Sequence, residues 1–155
     1  MTLKVGDKLP SIYLYNSNKE RKNLEDMIKG KTIIAFLPGA YTDVCTEEIC
    51  KLESHLADLE QLQSNVIGIT TDSPYVLHEW GSINQITFPL MSDFDKTCIQ
   101  KFGSEFQNLG GLEGYICANR SIYIVDSKKT ITYVWHAPNP GVQPNYEDII
   151  EHLNS

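Results

Sequence analysis

The sequence is short of basic residues and of long apolar runs. Among its 155 residues there are 13 lysines and arginines against 20 aspartates and glutamates, which leaves a net charge of −7. This acidity argues against sequence-independent binding to nucleic acid and against binding to an anionic membrane surface. No apolar run approaches the ~20 residues of a membrane span, and the opening segment MTLKVGDKLP lacks the apolar core of a signal peptide. These absences predict a soluble, cytoplasmic protein.

Cysteine is also scarce, and its spacing excludes two common kinds of site. The four cysteines (Cys45, Cys50, Cys98 and Cys117) are too few for a disulfide scaffold, and we expect them to remain thiols in a reducing compartment unless chemistry oxidises them. No CxxC pair occurs, so zinc-ribbon and thioredoxin-type redox motifs are both missing. The question is therefore why two cysteines lie five positions apart in the stretch FLPGAYTDVCTEEIC.

The pattern of apolar residues predicts an α/β protein. No internal repeat, low-complexity tract or linker occurs, so residues 1–155 are expected to form one domain. Near-continuous β-branched and aromatic runs at 31–38 and 65–70 are typical of buried strands. Strands are also predicted at 11–15, 87–93, 121–126 and 130–137, helices at 45–63, 74–82, 94–102 and 146–153, and irregular chain at 103–119. This order of elements favours a thioredoxin-like fold, in which helices flank a mixed central sheet that starts parallel and ends in an antiparallel hairpin.

Cys45 lies where a helix would begin after a buried strand, and such a place favours a thiolate. The free amides of a first helical turn and the helix dipole attract negative charge. A cysteine there can have its pKa lowered to roughly 3.5–7.5, and the thiolate is the reactive form of the side chain. The position of Cys45 therefore suits a nucleophile.

Cys45 and Cys50 are predicted to point to different sides of this helix. The apolar stripe that should face the sheet consists of Ile49, Leu52, Leu56 and Leu59. Cys45 falls within this stripe, whereas Cys50 lies roughly 150° from its centre. Five residues of helix would hold the two Cα atoms about 8–9 Å apart, beyond the roughly 4.4–6.8 Å of a disulfide. A bond between the two thiols therefore requires the first turns of the helix to unwind.

The stretch PGAYTDVC carries Pro38, Thr42 and Cys45 as P-x3-T-x2-C, and Glu48 follows three residues after the cysteine. This pattern resembles the active-site signature of the peroxiredoxins. The segments DSPYVLHEWGSINQITFPLMSDFD and ANRSIYIVD are similar to further segments of that family, so the resemblance covers most of residues 4–150. The spacing of the two cysteines is similar to that of the bacterioferritin-comigratory (PrxQ) branch, whereas PGAYTDVC is closer to the form of AhpE-like members.

The resemblance implies a thioredoxin-like fold and the reduction of hydrogen peroxide and organic hydroperoxides. Cys45 would be the peroxidatic thiolate. Thr42 would hydrogen-bond to the peroxide and the thiolate, and Pro38 would shield the pocket from water. Arg120 would complete the cationic side of the site, a role that suits a guanidinium because it cannot lose its charge. Glu48 would be structural or would belong to a network that places Arg120.

The resemblance also implies how the oxidised thiol is recycled. Cys50 would resolve Cys45 as an intramolecular disulfide, which a thioredoxin-like or other dithiol reductant would then reduce. In the alternative, Cys50 does not resolve and an external thiol does. Cys117, three residues before Arg120, is another candidate for the resolving thiol. No metal or organic cofactor is required, no nucleic-acid or membrane partner is expected, and the protein would be a monomer or a homodimer.

Two other classes of function fit the sequence poorly, and a third stays open. A cysteine hydrolase needs a histidine near Cys45, but the histidines show no recognisable partner pattern, and His55 is about three turns further along the predicted helix. A metal site at the two neighbouring cysteines fails because thiols five positions apart on a helix diverge. An acidic binding module with inert thiols stays open. Cys98, at helical spacing from Phe94 and Phe102, is interpreted as a core residue.

Overall fold

A computed structural model describes residues 2–155 of the chain. The strands are β1 (Tyr13–Asn16), β2 (Arg21–Asn23), β3 (Lys31–Phe36), β4 (Ser64–Thr70), β5 (Leu90–Ser92), β6 (Glu105–Gln107), β7 (Ile116–Ala118), β8 (Ser121–Val125) and β9 (Ile131–His136). The helices are α1 (Asp43–Ser54), α2 (Leu56–Gln61), α3 (Pro74–Ile83), α4 (Thr97–Phe102) and α5 (Tyr146–Asn154), and short 3-10 turns lie at Leu24–Met27 and Leu109–Gly111. Across residues 2–155 no helix is both long enough and apolar enough to span a membrane.

Within residues 2–155, seven strands form one mixed sheet in the order β2-β1-β5-β4-β3-β8-β9. Strands β3, β4 and β5 run parallel to one another. Strand β8 pairs antiparallel with β3 and continues into an antiparallel hairpin with β9, while β1 and β2 add an antiparallel edge beside β5. The sheet therefore confirms the predicted mixed arrangement with a hairpin at its end. The expectation that the sheet starts parallel is wrong for β1, which pairs antiparallel with both β2 and β5.

Apolar side chains cover both faces of this sheet. Ile33 and Ala35 of β3 belong to a buried cluster that also contains side chains from α1, α3 and α5. Ile34 and Phe36 belong to a second cluster, on the other face, with side chains from α4 and from the N-terminal segment. Because successive residues of a strand point to opposite faces, β3 needs an unbroken apolar run to fill both clusters.

The helix predicted over 45–63 is two helices, and its start lies two residues earlier than expected. Helix α1 begins at Asp43 and ends at Ser54, and His55, with φ of −92° and ψ of 0°, separates it from α2. The Ser54 hydroxyl donates to the backbone carbonyl oxygen of Lys51 at 2.8 Å, a local bond that competes with regular helical bonding. The break leaves Leu56 only partly buried, although it belongs to the predicted apolar stripe.

The segment 103–119 is more regular than the sequence predicts. Strands β6 and β7 pair antiparallel within it as a separate two-stranded ribbon. The connection between them contains Asn108, Gly110, Gly111 and Gly114, all with positive φ. Glycine adopts this backbone conformation without steric cost, so the residues that suggested irregular chain instead form the turns of a hairpin.

Candidate active site

A short loop carries the chain from the end of β3 to the start of α1. Pro38 is buried in this loop. The backbone amide of Ala40 donates to Asp72 Oδ2 at 2.7 Å, and the Thr42 hydroxyl donates to the carbonyl oxygen of Gly39 at 2.8 Å. These two bonds fix the backbone at both ends of the turn that leads into α1.

Cys45 is the third residue of α1, and its side chain is fully buried. The N-cap position belongs to Thr42, whose side chain makes no capping bond in the described part of the chain. The first-turn amides of a helix have no acceptors within the helix, and together with the helix dipole they favour a negative charge. The placement of Cys45 therefore matches the surroundings predicted for a reactive thiolate.

Arg120 lies 75 residues after Cys45 in the sequence, and its side chain contacts the Cys45 sulfur. It lies in the link between β7 and β8, and only 2% of its surface is exposed. Its Nη2 donates to Cys45 Sγ at 3.2 Å, its Nη1 donates to Glu48 Oε1 at 2.8 Å, and its Nε donates to the carbonyl oxygen of Pro140 at 2.9 Å. Because β8 pairs with β3 and places Ser121 opposite Phe36, the residue before β8 lies beside the loop that follows β3. Each of the three guanidinium nitrogens therefore has a hydrogen-bond acceptor.

Glu48 and Arg120 form a buried ion pair one turn below Cys45. Burial raises the pKa of Glu48 to about 7, while the hydrogen bond and the charge of Arg120 act in the opposite direction. Burial lowers the pKa of Arg120, but the charge of Cys45 and the bond to Glu48 outweigh it and raise that pKa overall. Within residues 2–155 the second carboxylate oxygen of Glu48 has no hydrogen-bond partner. The arrangement keeps a permanent positive charge against the sulfur.

Cys50 points away from Cys45, as the helical spacing predicts. Its side chain is exposed, and its Sγ lies 3.8 Å from Oδ1 of Asn84, the residue that ends α3. Helix α1 is continuous between the two cysteines, and both thiols are free. A disulfide between them is therefore incompatible with this conformation of α1.

The two remaining cysteines are buried. Cys117 lies on β7, where burial and the charge of Cys45 raise its pKa to about 11. Cys98 lies on α4 in the core beside Phe102, and burial raises its pKa well above the usual range. Phe94, which was expected to pack against Cys98, is instead half exposed. Both thiols are held in their neutral form.

The contacts of Cys45 and Thr42 can be compared with a cysteine hydrolase, with a metal site and with the expected bond between Thr42 and the thiolate. Among residues 2–155, Arg120 is the one hydrogen-bond partner of Cys45 Sγ. The Thr42 hydroxyl bonds Gly39 and not the thiol, so its expected bond to the thiolate is not present. No group of three or more metal-ligating side chains is found in the described chain.

Two contributors to the site, Asp72 and the carbonyl group of Pro140, are not among the residues predicted from the sequence. Asp72 follows β4 in the stretch TTDSP, and a carboxylate just after a buried strand is the feature of the sequence that points to it. Pro140 contributes only a backbone carbonyl oxygen to Arg120, so no pattern of side chains in the sequence predicts this contact.

Comparison with known proteins agrees with this geometry. Residues 5–134 match the AhpC/TSA family. The chain is 30% identical over 154 residues to a thiol peroxidase from Oceanobacillus iheyensis, which covers 97% of this chain and 88% of that relative. It is 29% identical over 133 residues to the peroxiredoxin Bcp of Escherichia coli, which covers 86% of this chain and 85% of that protein.

Solved structures resemble the chain over almost its whole length. The peroxidoxin BcpB from Mycobacterium tuberculosis has a TM-score of 0.85 at 21% identity and covers 98% of this chain and 97% of its own. PrxQ from Xylella fastidiosa has a TM-score of 0.86 at 22% identity and covers 99% and 97%. These likenesses confirm the predicted thioredoxin-like α/β fold. Since the family match and the relative at 30% identity both span most of the sequence, the chain belongs to the AhpC/TSA family and is a peroxiredoxin.

Proposed function

We propose that Cys45 is the peroxidatic residue of this peroxiredoxin and that it reduces hydrogen peroxide and organic hydroperoxides. The observation that carries the proposal is the 3.2 Å bond from Arg120 Nη2 to the Sγ of Cys45, a fully buried residue in the first turn of α1. A guanidinium keeps its charge at any physiological pH, so it stabilises the thiolate that attacks the substrate.

In the proposed first step the Cys45 thiolate attacks the terminal oxygen of the hydroperoxide ROOH. A sulfur–oxygen bond forms as the oxygen–oxygen bond breaks, and Cys45 becomes a sulfenic acid. The sulfur loses two electrons to the peroxide, and the leaving RO⁻ takes a proton from solvent to give ROH. Arg120 donates to the oxygen on which negative charge develops, because its Nη2 already lies at the sulfur.

Pro38 and Thr42 take supporting roles in this proposal. Pro38 is buried in the loop before α1 and shields the thiolate from water. The Thr42 hydroxyl donates to Gly39, which leaves its oxygen free to accept a hydrogen bond from the O–H group of the hydroperoxide. Glu48 holds Arg120 through the 2.8 Å bond to Nη1 and does not itself touch the sulfur.

Cys50 is proposed to resolve the sulfenic acid. Its exposed thiol attacks the oxidised sulfur, the sulfur–oxygen bond breaks, and water leaves as the Cys45–Cys50 disulfide forms. Helix α1 has to unwind locally for this step, because the intact helix keeps the thiols on different sides. A thioredoxin-like or other dithiol protein then reduces the disulfide, so the cycle needs no metal and no organic cofactor.

The cycle is proposed to run in one domain over residues 1–155, in the cytoplasm, by a monomer or a homodimer. The four free cysteines support a reducing compartment. The second candidate is a one-cysteine cycle, in which an external thiol resolves Cys45. The continuity of α1 between the cysteines favours that alternative, since unwinding costs free energy. Resolution by Cys117 is weakened by burial, which keeps that thiol neutral.

The test is a stopped-flow reaction of the reduced protein with hydrogen peroxide, followed by thiol counting and mass spectrometry. We expect the wild type to lose two thiols and to contain a 45–50 disulfide, and Cys50→Ser to lose one. Cys117→Ser is the matched control and should behave as the wild type. Loss of one thiol in the wild type would establish the one-cysteine cycle instead. Equal reaction of wild type and Cys45→Ser would overturn the role of Cys45.

A further inference from the structure

A chain of hydrogen-bonded polar side chains runs through the core between β8 and β9. Ser104 Oγ lies 3.2 Å from Ser121 Oγ and 3.1 Å from the Tyr123 hydroxyl. The same hydroxyl lies 3.1 Å from His136 Nε2, and His136 is partly exposed at the end of β9. The two serines and the tyrosine are fully buried. Buried polar groups cost free energy unless they are paired, and a fully paired network makes the surrounding structure rigid. This chain of side chains is therefore expected to fix the backbone around it.

This polar chain holds the backbone on both sides of Arg120. On one side, the Asn119 amide nitrogen of the backbone donates to the carbonyl oxygen of Ser104 at 2.7 Å, and the Asn119 side chain contacts His136 Nδ1 at 3.4 Å. On the other side, the Ser121 hydroxyl donates to the carbonyl oxygen of Asn119 at 3.0 Å. Residues 119 and 120 lie outside the regular strands. The Ala137 backbone amide donates to the Arg120 carbonyl oxygen at 2.9 Å and so continues the β8–β9 pairing, and the side-chain bonds add a second hold on Asn119 and Ser121.

The hydrogen-bond roles of His136 follow from its partners. The Tyr123 hydroxyl has one hydrogen, which it donates toward the Phe102 carbonyl oxygen at 3.5 Å or to Ser104. The Asn119 side-chain nitrogen is an amide donor, so His136 Nδ1 accepts from it at 3.4 Å, and Nε2 of the neutral ring then carries the hydrogen that it donates to the Tyr123 hydroxyl. Burial lowers the pKa of His136, which favours this neutral form. One ring thus connects the core hydroxyls to the residue before Arg120.

We propose that His136 and Tyr123 are positioning residues, which hold the Asn119–Ser121 backbone so that the Arg120 guanidinium stays in contact with Cys45. The proposal rests on the function proposed above, in which Arg120 stabilises the thiolate. Neither residue touches the sulfur or the substrate. Their effect passes through the Asn119 and Ser121 bonds to the backbone of Arg120, and from there to the 3.2 Å contact with Cys45 Sγ.

The test reads the thiolate directly, in the absence of peroxide. In a Cys50→Ser background the ultraviolet absorbance of the thiolate is titrated against pH, and the buried Cys98 and Cys117 stay neutral over the relevant range. Tyr123→Phe removes one hydroxyl and keeps the ring. We expect it to raise the midpoint of the Cys45 titration by about half to one pH unit and to slow the reaction with peroxide about threefold to tenfold.

A second pair of variants keeps the test valid if Tyr123→Phe unfolds. His136→Gln retains an amide donor for the Tyr123 hydroxyl and should stay close to the wild type, whereas His136→Leu should behave as Tyr123→Phe does. The matched control is His152→Leu, which removes another partly buried histidine–hydroxyl contact, the 3.1 Å one to Thr132 of β9. This control should leave the Cys45 midpoint unchanged, even if it lowers the melting temperature.

Two outcomes would overturn the proposal: an unchanged midpoint in both Tyr123→Phe and His136→Leu, or an equal shift in the His152→Leu control. Either would mean that the polar chain serves stability alone. The thiolate titration does not involve peroxide. A wild type that forms a thiolate but consumes no peroxide would refute the proposed function while the positioning of Arg120 is still measured.

Discussion

Arg120 is the residue on which the geometry of the site converges. It connects the sulfur of Cys45, the carboxylate of Glu48 and the carbonyl oxygen of Pro140 through three different nitrogens. Such a fork fits several acceptors at once, whereas a lysine ammonium acts as a point donor. Removal of one partner of a buried ion pair costs roughly 3–5 kcal/mol, because it leaves an uncompensated charge.

Arg120→Lys should therefore lower the rate constant for peroxide roughly 10²-fold, the loss typical of one transition-state donor. The charge is kept, but the simultaneous contacts to the sulfur and to Glu48 are lost. The reaction is followed by stopped-flow fluorescence, with the melting temperature recorded beside it.

The matched control for this substitution is the other arginine of the chain. Arg21 is exposed on β2 and lies over the ring of Tyr13, with its guanidinium carbon 3.9 Å from the ring centroid. Arg21→Lys should leave the rate unchanged. A rate for Arg120→Lys equal to that of the control would show that the fork geometry is not needed.

At the scale of elements, α1 is held between two neighbours that oppose its unwinding. On the side of α3, Trp80 Nε1 donates to Thr46 Oγ1 at 3.2 Å, and the Glu53 carboxylate accepts from the backbone amide of Thr87 at 2.6 Å and also contacts its hydroxyl. On the side of the loop before α5, Gln143 Nε2 donates to Glu47 Oε2 at 2.8 Å. These contacts stabilise the helical form from which Cys50 cannot reach Cys45.

Glu53→Ala should favour the disulfide over further oxidation of Cys45. Loss of bonds worth about 1–2 kcal/mol would raise the unwound population roughly fivefold to thirtyfold. Cys50 would then capture the sulfenic acid before excess peroxide converts it to the sulfinic acid. Mass spectrometry of the peroxide-treated protein measures the ratio of disulfide to sulfinic acid.

Hydrogen exchange of residues 46–52 gives an independent readout of the same change. Faster exchange in Glu53→Ala than in the wild type would accompany the larger disulfide fraction. Glu60→Ala, an exposed carboxylate on α2, is the control and should change neither measurement. Equal product ratios in Glu53→Ala and the wild type would mean that the contacts between Glu53 and Thr87 do not limit the unwinding of α1.

At the scale of the whole molecule, a buried carboxylate links stability to pH. Asp93 is almost fully buried, and its two oxygens accept from the backbone amides of Cys98 and Ile99 at 2.9 Å each, at the start of α4. Burial raises the pKa of Asp93 to about 6, although these two bonds act against the rise. The folded chain thus keeps a proton on Asp93 at a pH where the unfolded chain has lost it.

Between about pH 4, the ordinary aspartate value, and about pH 6, the folded state binds more protons, so Asp93 makes the free energy of unfolding fall as pH rises. Asp93→Asn does not titrate. We expect the wild type to lose stability relative to Asp93→Asn across that window, as measured by urea unfolding at a series of pH values. Above it the difference should be constant, since both states are then ionised. A constant difference throughout would refute the link.

Local sequence patterns were sufficient to predict most of the helices and strands. They also predicted that Cys45 and Cys50 lie on different sides of α1. The apolar run at 31–38 predicts β3 because a strand buried on both faces needs one. Ser73 and Pro74 predict the start of α3, where the Ser73 hydroxyl indeed accepts from the backbone amide of Val76. The break at His55 and the β6–β7 ribbon were not predicted. The break accompanies a single side-chain bond from Ser54 to Lys51, and each strand of the ribbon has only three residues, too few to show an alternating pattern.

What the sequence by itself determined is therefore local: the strand before Cys45, the helix that begins around it, and the opposite facing of Cys50. The periods of helices and strands span only a few residues, so they can be recognised from residues that are close together in the sequence. Only the tertiary structure decided which groups meet the sulfur. Arg120 is 75 residues from Cys45 and 72 from Glu48, and it reaches both because β8 pairs with β3, a long-range packing choice that no local pattern encodes.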